Sequence, residues 1–122
     1  MIRTGSGPLA GISVLIVEDE FLIAVEAQRI VEEAGARSGA LVNSIAAAHR
    51  HIAREAVDVV ILDMRLGEED GGGLLREYMD RGVPVVIASG LAPEREIAAP
   101  VLMKPYRDTD LIAAVLNALD RG

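Results

Sequence analysis

The chain contains no cysteine, which removes disulfides, thiolate metal sites and cysteine nucleophiles from consideration. Aromatic residues are almost as scarce: Phe21, Tyr78 and Tyr106 are the only ones, and tryptophan is missing. Without them there is no stacking platform for nucleic-acid bases. Positive charge is in deficit, with 12 Lys and Arg against 19 Asp and Glu, a formal net charge of -7 and a pI near 4.7. Such a surface repels phosphate backbones, and no basic stripe offsets it, so no direct contact with nucleic acid is expected. No apolar run approaches the roughly 18 residues of a membrane span, and the opening "MIRTGSGPLAG" lacks the basic-then-apolar order of a signal peptide. These absences leave a soluble, cytoplasmic, non-membrane protein as the expectation. The length of 122 residues suits one domain with one core.

What is present is periodic. Ile12 to Val17, Val57 to Leu62 and Val83 to Ala88 are apolar at nearly every position and rich in Val and Ile, the pattern of strands covered on both faces. Two weaker runs, Ala40 to Val42 and Val101 to Met103, suit the edges of the same sheet. Helical spacing fills the gaps. Glu20 to Ala34 puts Ile23, Ala27, Ile30 and Val31 on one side and ends at Gly35, a C′ residue. Ser44 is placed to cap a helix with Ile45, Ala48, Ile52, Ala53 and Ala56 inward. A third, shorter helix is predicted over Leu74 to Asp80, and a last one from Asp108 or Thr109 with Leu111, Ile112, Val115, Leu116 and Leu119 inward. Between Ala88 and Val101 only "SGLAPEREIAAP" is available, so one or two turns of helix fit there. Residues 1–11 read as a loose leader, and 12–122 as the domain. The β-α alternation implies a doubly wound α/β sandwich with a parallel sheet.

In such sheets, ligand sites form beyond the carboxyl ends of the strands. The first strand ends in Glu18, Asp19 and Glu20, the second strong run in Asp63, the third in Ser89 and Gly90, and the last weak strand in Lys104 and Pro105. Two like charges about 4 Å apart cost on the order of 4 kcal/mol at an effective dielectric of 20, so Glu18, Asp19 and Asp63 together require a cation or shifted pKa values. Lys104 supplies one charge, and a hard divalent ion with oxygen ligands, Mg²⁺ first, would supply the rest. Asp63 then has a role as a nucleophile toward phosphorus, with Ser89 and Lys104 on the phosphoryl oxygens. Read singly, each residue has a plainer explanation. Asp63 could cap a turn, Glu18 to Glu20 could be the acidic first turn of a helix, and Lys104 could be an exposed lysine. His49, at helical spacing with Ile45, Ile52 and Ala53, reads as a boundary packing residue. Neither His49 nor His51 falls at the strand-end rim. Arg50 and Arg54 read as a solvated helix face, and Tyr106 as packing.

Taken in order, "VLIVEDE", "VVILDMRLGEEDGG", "VPVVIASG" and "VLMKPY" closely resemble the receiver domain of two-component response regulators, over Ile12 to the C-terminus. The resemblance implies a flavodoxin-like five-stranded parallel sheet of order 2-1-3-4-5 with helices on both faces, here with a shortened fourth helix. It implies that Glu18 and Asp19 are the metal-binding pair and Asp63 the phosphoacceptor. Ser89 would be the hydroxyl that meets the phosphoryl group, Lys104 the paired lysine, and the backbone carbonyl of Arg65 a further ligand to Mg²⁺, with Mn²⁺ as a substitute. The Lys104–Pro105 bond would be cis. A histidine kinase or phosphotransfer protein would be the donor. Three positions depart from the family pattern: Val101 stands where an aromatic is usual, Gly67 where a proline is common, and the helix after Ser89 is short. The wording of the later motifs is most like single-domain receivers associated with HWE-type histidine kinases. The chain ends about where its last helix does, so the expectation is a stand-alone receiver whose output is a protein contact, a phosphate sink or shuttle, or feedback on the kinase. A domain cut from a larger protein is the alternative. Two other functions are carried as alternatives: a metal-dependent phosphatase using Asp63 as nucleophile, though no second acid follows at a spacing suited to protonating a leaving group, and an interaction module inert to phosphorylation.

Overall fold

The computed structural model describes residues 7–66, 69–90 and 99–121. Five strands form one parallel sheet: β1 (Ser13–Val17), β2 (Ser38–Val42), β3 (Val59–Asp63), β4 (Val85–Ser89) and β5 (Val101–Met103). Their order is β2-β1-β3-β4-β5, as the resemblance implied. β1 and β3 are buried at every residue, which is why they carry uninterrupted Val, Ile and Leu. β2 and β5, the weaker runs, lie at the two edges and are partly exposed.

Alternation along each strand divides the core. Val14, Ile16, Val59, Ile61, Val86, Ala88 and Leu102 pack on one face with α1 (Phe21–Glu33) and α4 (Asp108–Arg121). Leu15, Val17, Val60, Leu62, Val85 and Ile87 pack on the other with α2 (Ile45–Arg54) and α3 (Gly72–Asp80). Each Val, Leu and Ile among them contributes about 1.5–3 kcal/mol by leaving water.

The helix ends follow from local chemistry. Ser44 caps α2 by accepting a hydrogen bond from the Ala47 N–H at 3.1 Å. Gly35 closes α1 with a φ of 99°, a conformation that costs glycine little. Arg29 on α1 is gripped by Glu26 and Glu33 of its own helix and by Asp108 at the start of α4. α3 begins at Gly72, two residues before the expected Leu74, because Gly71 already accepts the first helical bond, from Leu75, at 2.9 Å.

One expectation needs correction and two cannot be placed. The loose leader does not extend through residues 7–11: the Leu9 side chain is fully buried in the core, and its N–H donates to the Ala34 carbonyl at 2.9 Å. The sequence signal was missed because a single apolar residue among Gly, Ser and Pro has no period. The shortened fourth helix and Gly67 lie outside the described residues. A two-residue antiparallel ladder, Arg65–Leu66 with Glu69–Asp70, follows β3 and was not anticipated.

Candidate functional site

Register builds the site. Val17 pairs with Leu62 and Asp63 with Ala88, so Glu18, Asp63 and Ser89 emerge at nearly one level from three adjacent strands. Ser89 pairs with Met103, and the Lys104 N–H donates to the Ser89 carbonyl at 2.8 Å, which fixes the last strand end beside them. The Lys104–Pro105 peptide is cis.

Glu18 and Asp63 are buried, at 5% and 6% exposure, while Asp19 is exposed. Two carboxylates that deep require compensation. Lys104 provides part of it: Nζ lies 2.6 Å from Glu18 Oε1 and 3.4 Å from Asp63 Oδ2. The Arg65 N–H donates to Asp63 Oδ1 at 3.0 Å, and the Glu20 N–H reaches Glu18 Oε2 at 3.4 Å. Burial, and then the neighbouring Asp63, push the Glu18 carboxyl up to about 7 despite Lys104. Burial also works against the charge on Lys104, but the combined pull of Glu18 and Asp63 outweighs it and holds that pKa above the ordinary lysine value.

One carboxylate oxygen from each of Glu18, Asp19 and Asp63 lies within 4.8 Å of the others. In an octahedron with bonds of about 2.1 Å, ligand oxygens are about 3–4 Å apart. Closing the group by about an ångström, or bridging with water, would hold one hard divalent cation. The all-oxygen donor set, three carboxylates to one lysine among the described residues, suits Mg²⁺.

The structure thus brings together Glu18, Asp19, Asp63 and Lys104, with Ser89 half-buried at the next strand end. Arg65 joins through its N–H. The histidines stay away from this rim. His49 lies 3.1 Å from Glu77 of α3, and His51 is 3.9 Å from Glu55. Val101 is half-buried against the α2 and α3 face of the core.

One site residue had no signal in the motif reading. Gly71 runs against the backbone at the end of β3, and a Cβ added there would meet the Asp63 carbonyl oxygen at 3.0 Å and the Met64 Cα at 3.2 Å. Its N–H donates to the Met64 carbonyl at 2.8 Å. At position 71 the missing side chain allows this close approach of the two backbone segments.

A parallel five-stranded sheet with an acid cluster and a lysine at its carboxyl rim defines a class of protein, and the comparisons agree on it. The family model of the response regulator receiver domain matches residues 14–116. The chain belongs to that family, the receiver domains of two-component signalling. Among solved structures it is similar to SdrG from Sphingomonas melonis Fr1, at 30% identity and a TM-score of 0.76, over 89% of this chain and 96% of that one. It is also similar in fold to the receiver domain of PhyR from Erythrobacter litoralis, at 23% identity and a TM-score of 0.80, over 93% and 94%. A third is the receiver domain of the sensor histidine kinase PA1611 from Pseudomonas aeruginosa PAO1, solved with a magnesium ion coordinated in its active site cleft, at 24% identity and a TM-score of 0.78, over 91% and 99%. No curated protein matches significantly. No helix among the described residues is long and apolar enough to cross a membrane.

Proposed function

We propose that the protein is a phosphoacceptor that takes a phosphoryl group on Asp63 from a histidine kinase or phosphotransfer protein. The observation that carries this reading is the burial of the Asp63 carboxylate inside the acid cluster, 3.4 Å from a lysine ammonium. An Asp63 oxygen attacks phosphorus as the P–N bond of a phosphohistidine breaks. The electron pair stays on the leaving imidazole nitrogen, and the phosphoryl group passes to the carboxylate.

The chain's residues divide the work. Lys104 pairs with an equatorial phosphoryl oxygen, Ser89 hydrogen-bonds another, and the Arg65 N–H holds Asp63 in line. Glu18, Asp19, Asp63 and the Arg65 carbonyl are the groups that would hold Mg²⁺, or Mn²⁺ in its place. Bound there, the ion neutralises charge that the carboxylates and the phosphoryl oxygens would otherwise share. The magnesium ion in the cleft of the PA1611 receiver supports that assignment. The protein acts as a catalyst only on its own phosphorylation and dephosphorylation, in the cytoplasm, and the modified state alters a contact with a protein partner or serves as a phosphate store. HWE-type kinases are the first donors to test. Val101 has no ring to swing toward Ser89, so any switching runs through other groups.

Intact mass after incubation with Mg²⁺ and acetyl phosphate tests this. One phosphoryl adduct on the wild type and none on Asp63→Asn is expected. Steady release of phosphate from small esters would favour a phosphatase instead, and no adduct from acetyl phosphate or any kinase would favour an inert module.

A further inference from the structure

Lys104 is the chain's only lysine, against eleven arginines, and its ammonium is not shared evenly between the two buried acids. The 2.6 Å contact to Glu18 is a short charge-assisted hydrogen bond, whereas 3.4 Å to Asp63 is beyond the usual range of about 2.7–2.9 Å. Side-chain length is the cause. Glu18 and Asp63 start at the same level, since Val17 and Leu62 are in register. Glutamate is one methylene longer, and with its side chain only 4% exposed its carboxylate is held inside, against Nζ. The Lys104 main chain is in turn held by its N–H bond to the Ser89 carbonyl, so the ammonium moves only by pivoting on its own side chain.

The same Glu18 carboxylate belongs to the trio whose oxygens lie within 4.8 Å of one another. One group therefore has two claimants, a built-in ammonium and a dissolved dication. We propose that Glu18 is a latch: in the cation-free protein it holds the Lys104 ammonium away from Asp63, and it releases Lys104 toward Asp63 when a divalent cation takes its carboxylate. Cation binding then carries the work of breaking an ion pair, and Lys104 reaches the acceptor only once the site is loaded. An aspartate at position 18 would be too short to hold Lys104 and would leave that work out. The inference rests on the reading of Glu18, Asp19 and Asp63 as the cation site.

The single lysine makes the test direct, because protein labelled with ¹³C,¹⁵N-lysine gives one side-chain NMR signal. At about pH 8, where Glu18 is ionised, Mg²⁺ should move that signal in the wild type. In Glu18→Asp the signal of the cation-free protein should already lie shifted toward the loaded position. Calorimetry should give Mg²⁺ binding tighter in Glu18→Asp, by at least the roughly 2- to 5-fold that the release of even an exposed ion pair would give. In a Lys104→Met background the same change should no longer tighten binding, since nothing remains to be released. Equal tightening with and without Lys104 would overturn the latch, by assigning the effect to carboxylate reach alone. Mg²⁺ binding with an unmoved lysine signal would also overturn it while leaving the cation site standing. Absence of Mg²⁺ binding in every form would overturn both.

Discussion

Burial at single residues sets two of the protein's measurable properties. Tyr78 is fully buried, its hydroxyl has no hydrogen-bond partner among the described residues, and burial pushes its pKa up to about 12. A buried polar group without a partner costs about 1–3 kcal/mol. Tyr78→Phe, which keeps the ring, should therefore raise stability by about 1 kcal/mol in urea unfolding with an unchanged slope. A loss of that size would mean that the hydroxyl is bonded after all. Glu18 gives a pH dependence. Its folded pKa is about 7 against an ordinary 4.5, so the folded state binds this proton more tightly than the unfolded chain. The linked stability is full below pH 4.5 and is lost as the pH rises through 7, on the order of 3 kcal/mol for a shift of that size. In cation-free buffer, Glu18→Gln should gain stability relative to the wild type as the pH rises from 4.5 through 7, the span of the shift. Parallel pH profiles for the two proteins would contradict the assignment.

The segment leaving β3 is where element-scale geometry constrains the site most. It turns at Arg65, whose N–H holds Asp63, forms a short ladder, and returns at Gly71 to touch the Asp63 and Met64 backbone before α3 starts. Gly71 has a φ of -71° and a ψ of -3°, an ordinary helical conformation, so Gly→Ala there would by itself stabilise by about 0.4–1 kcal/mol through the unfolded chain. The steric term has the opposite sign. A Cβ 3.0 Å from a backbone oxygen forces backbone shifts that typically cost about 1–3 kcal/mol. The steric term should win. Gly71→Ala is expected to lose about 1–2 kcal/mol in thermal or urea unfolding and to slow phosphorylation by displacing Asp63. A more stable variant with unchanged phosphorylation would show that the strand end yields freely.

At the scale of the whole molecule, the features legible in the sequence were those repeated along the chain or aligned by the sheet. Three continuous Val and Ile runs marked the central strands, and the residues ending successive strands marked the rim, because a parallel sheet in register brings those ends to one level. Contacts made once, between residues far apart, left no pattern to read. Leu9 over the end of α1, Gly71 against Asp63, and the closer pairing of Lys104 with Glu18 than with Asp63 are all of that kind. The proposed acceptor is one group, the Asp63 carboxylate, and its position can be read chemically. Borohydride reduces an acyl phosphate to the alcohol, so phosphorylated protein treated in this way carries homoserine where the phosphoryl group sat. Peptide mapping should place that single conversion at Asp63. Conversion at Glu18, Asp19 or another carboxylate, or a phosphoryl group retained on His49 or His51 with no conversion at all, would contradict the account.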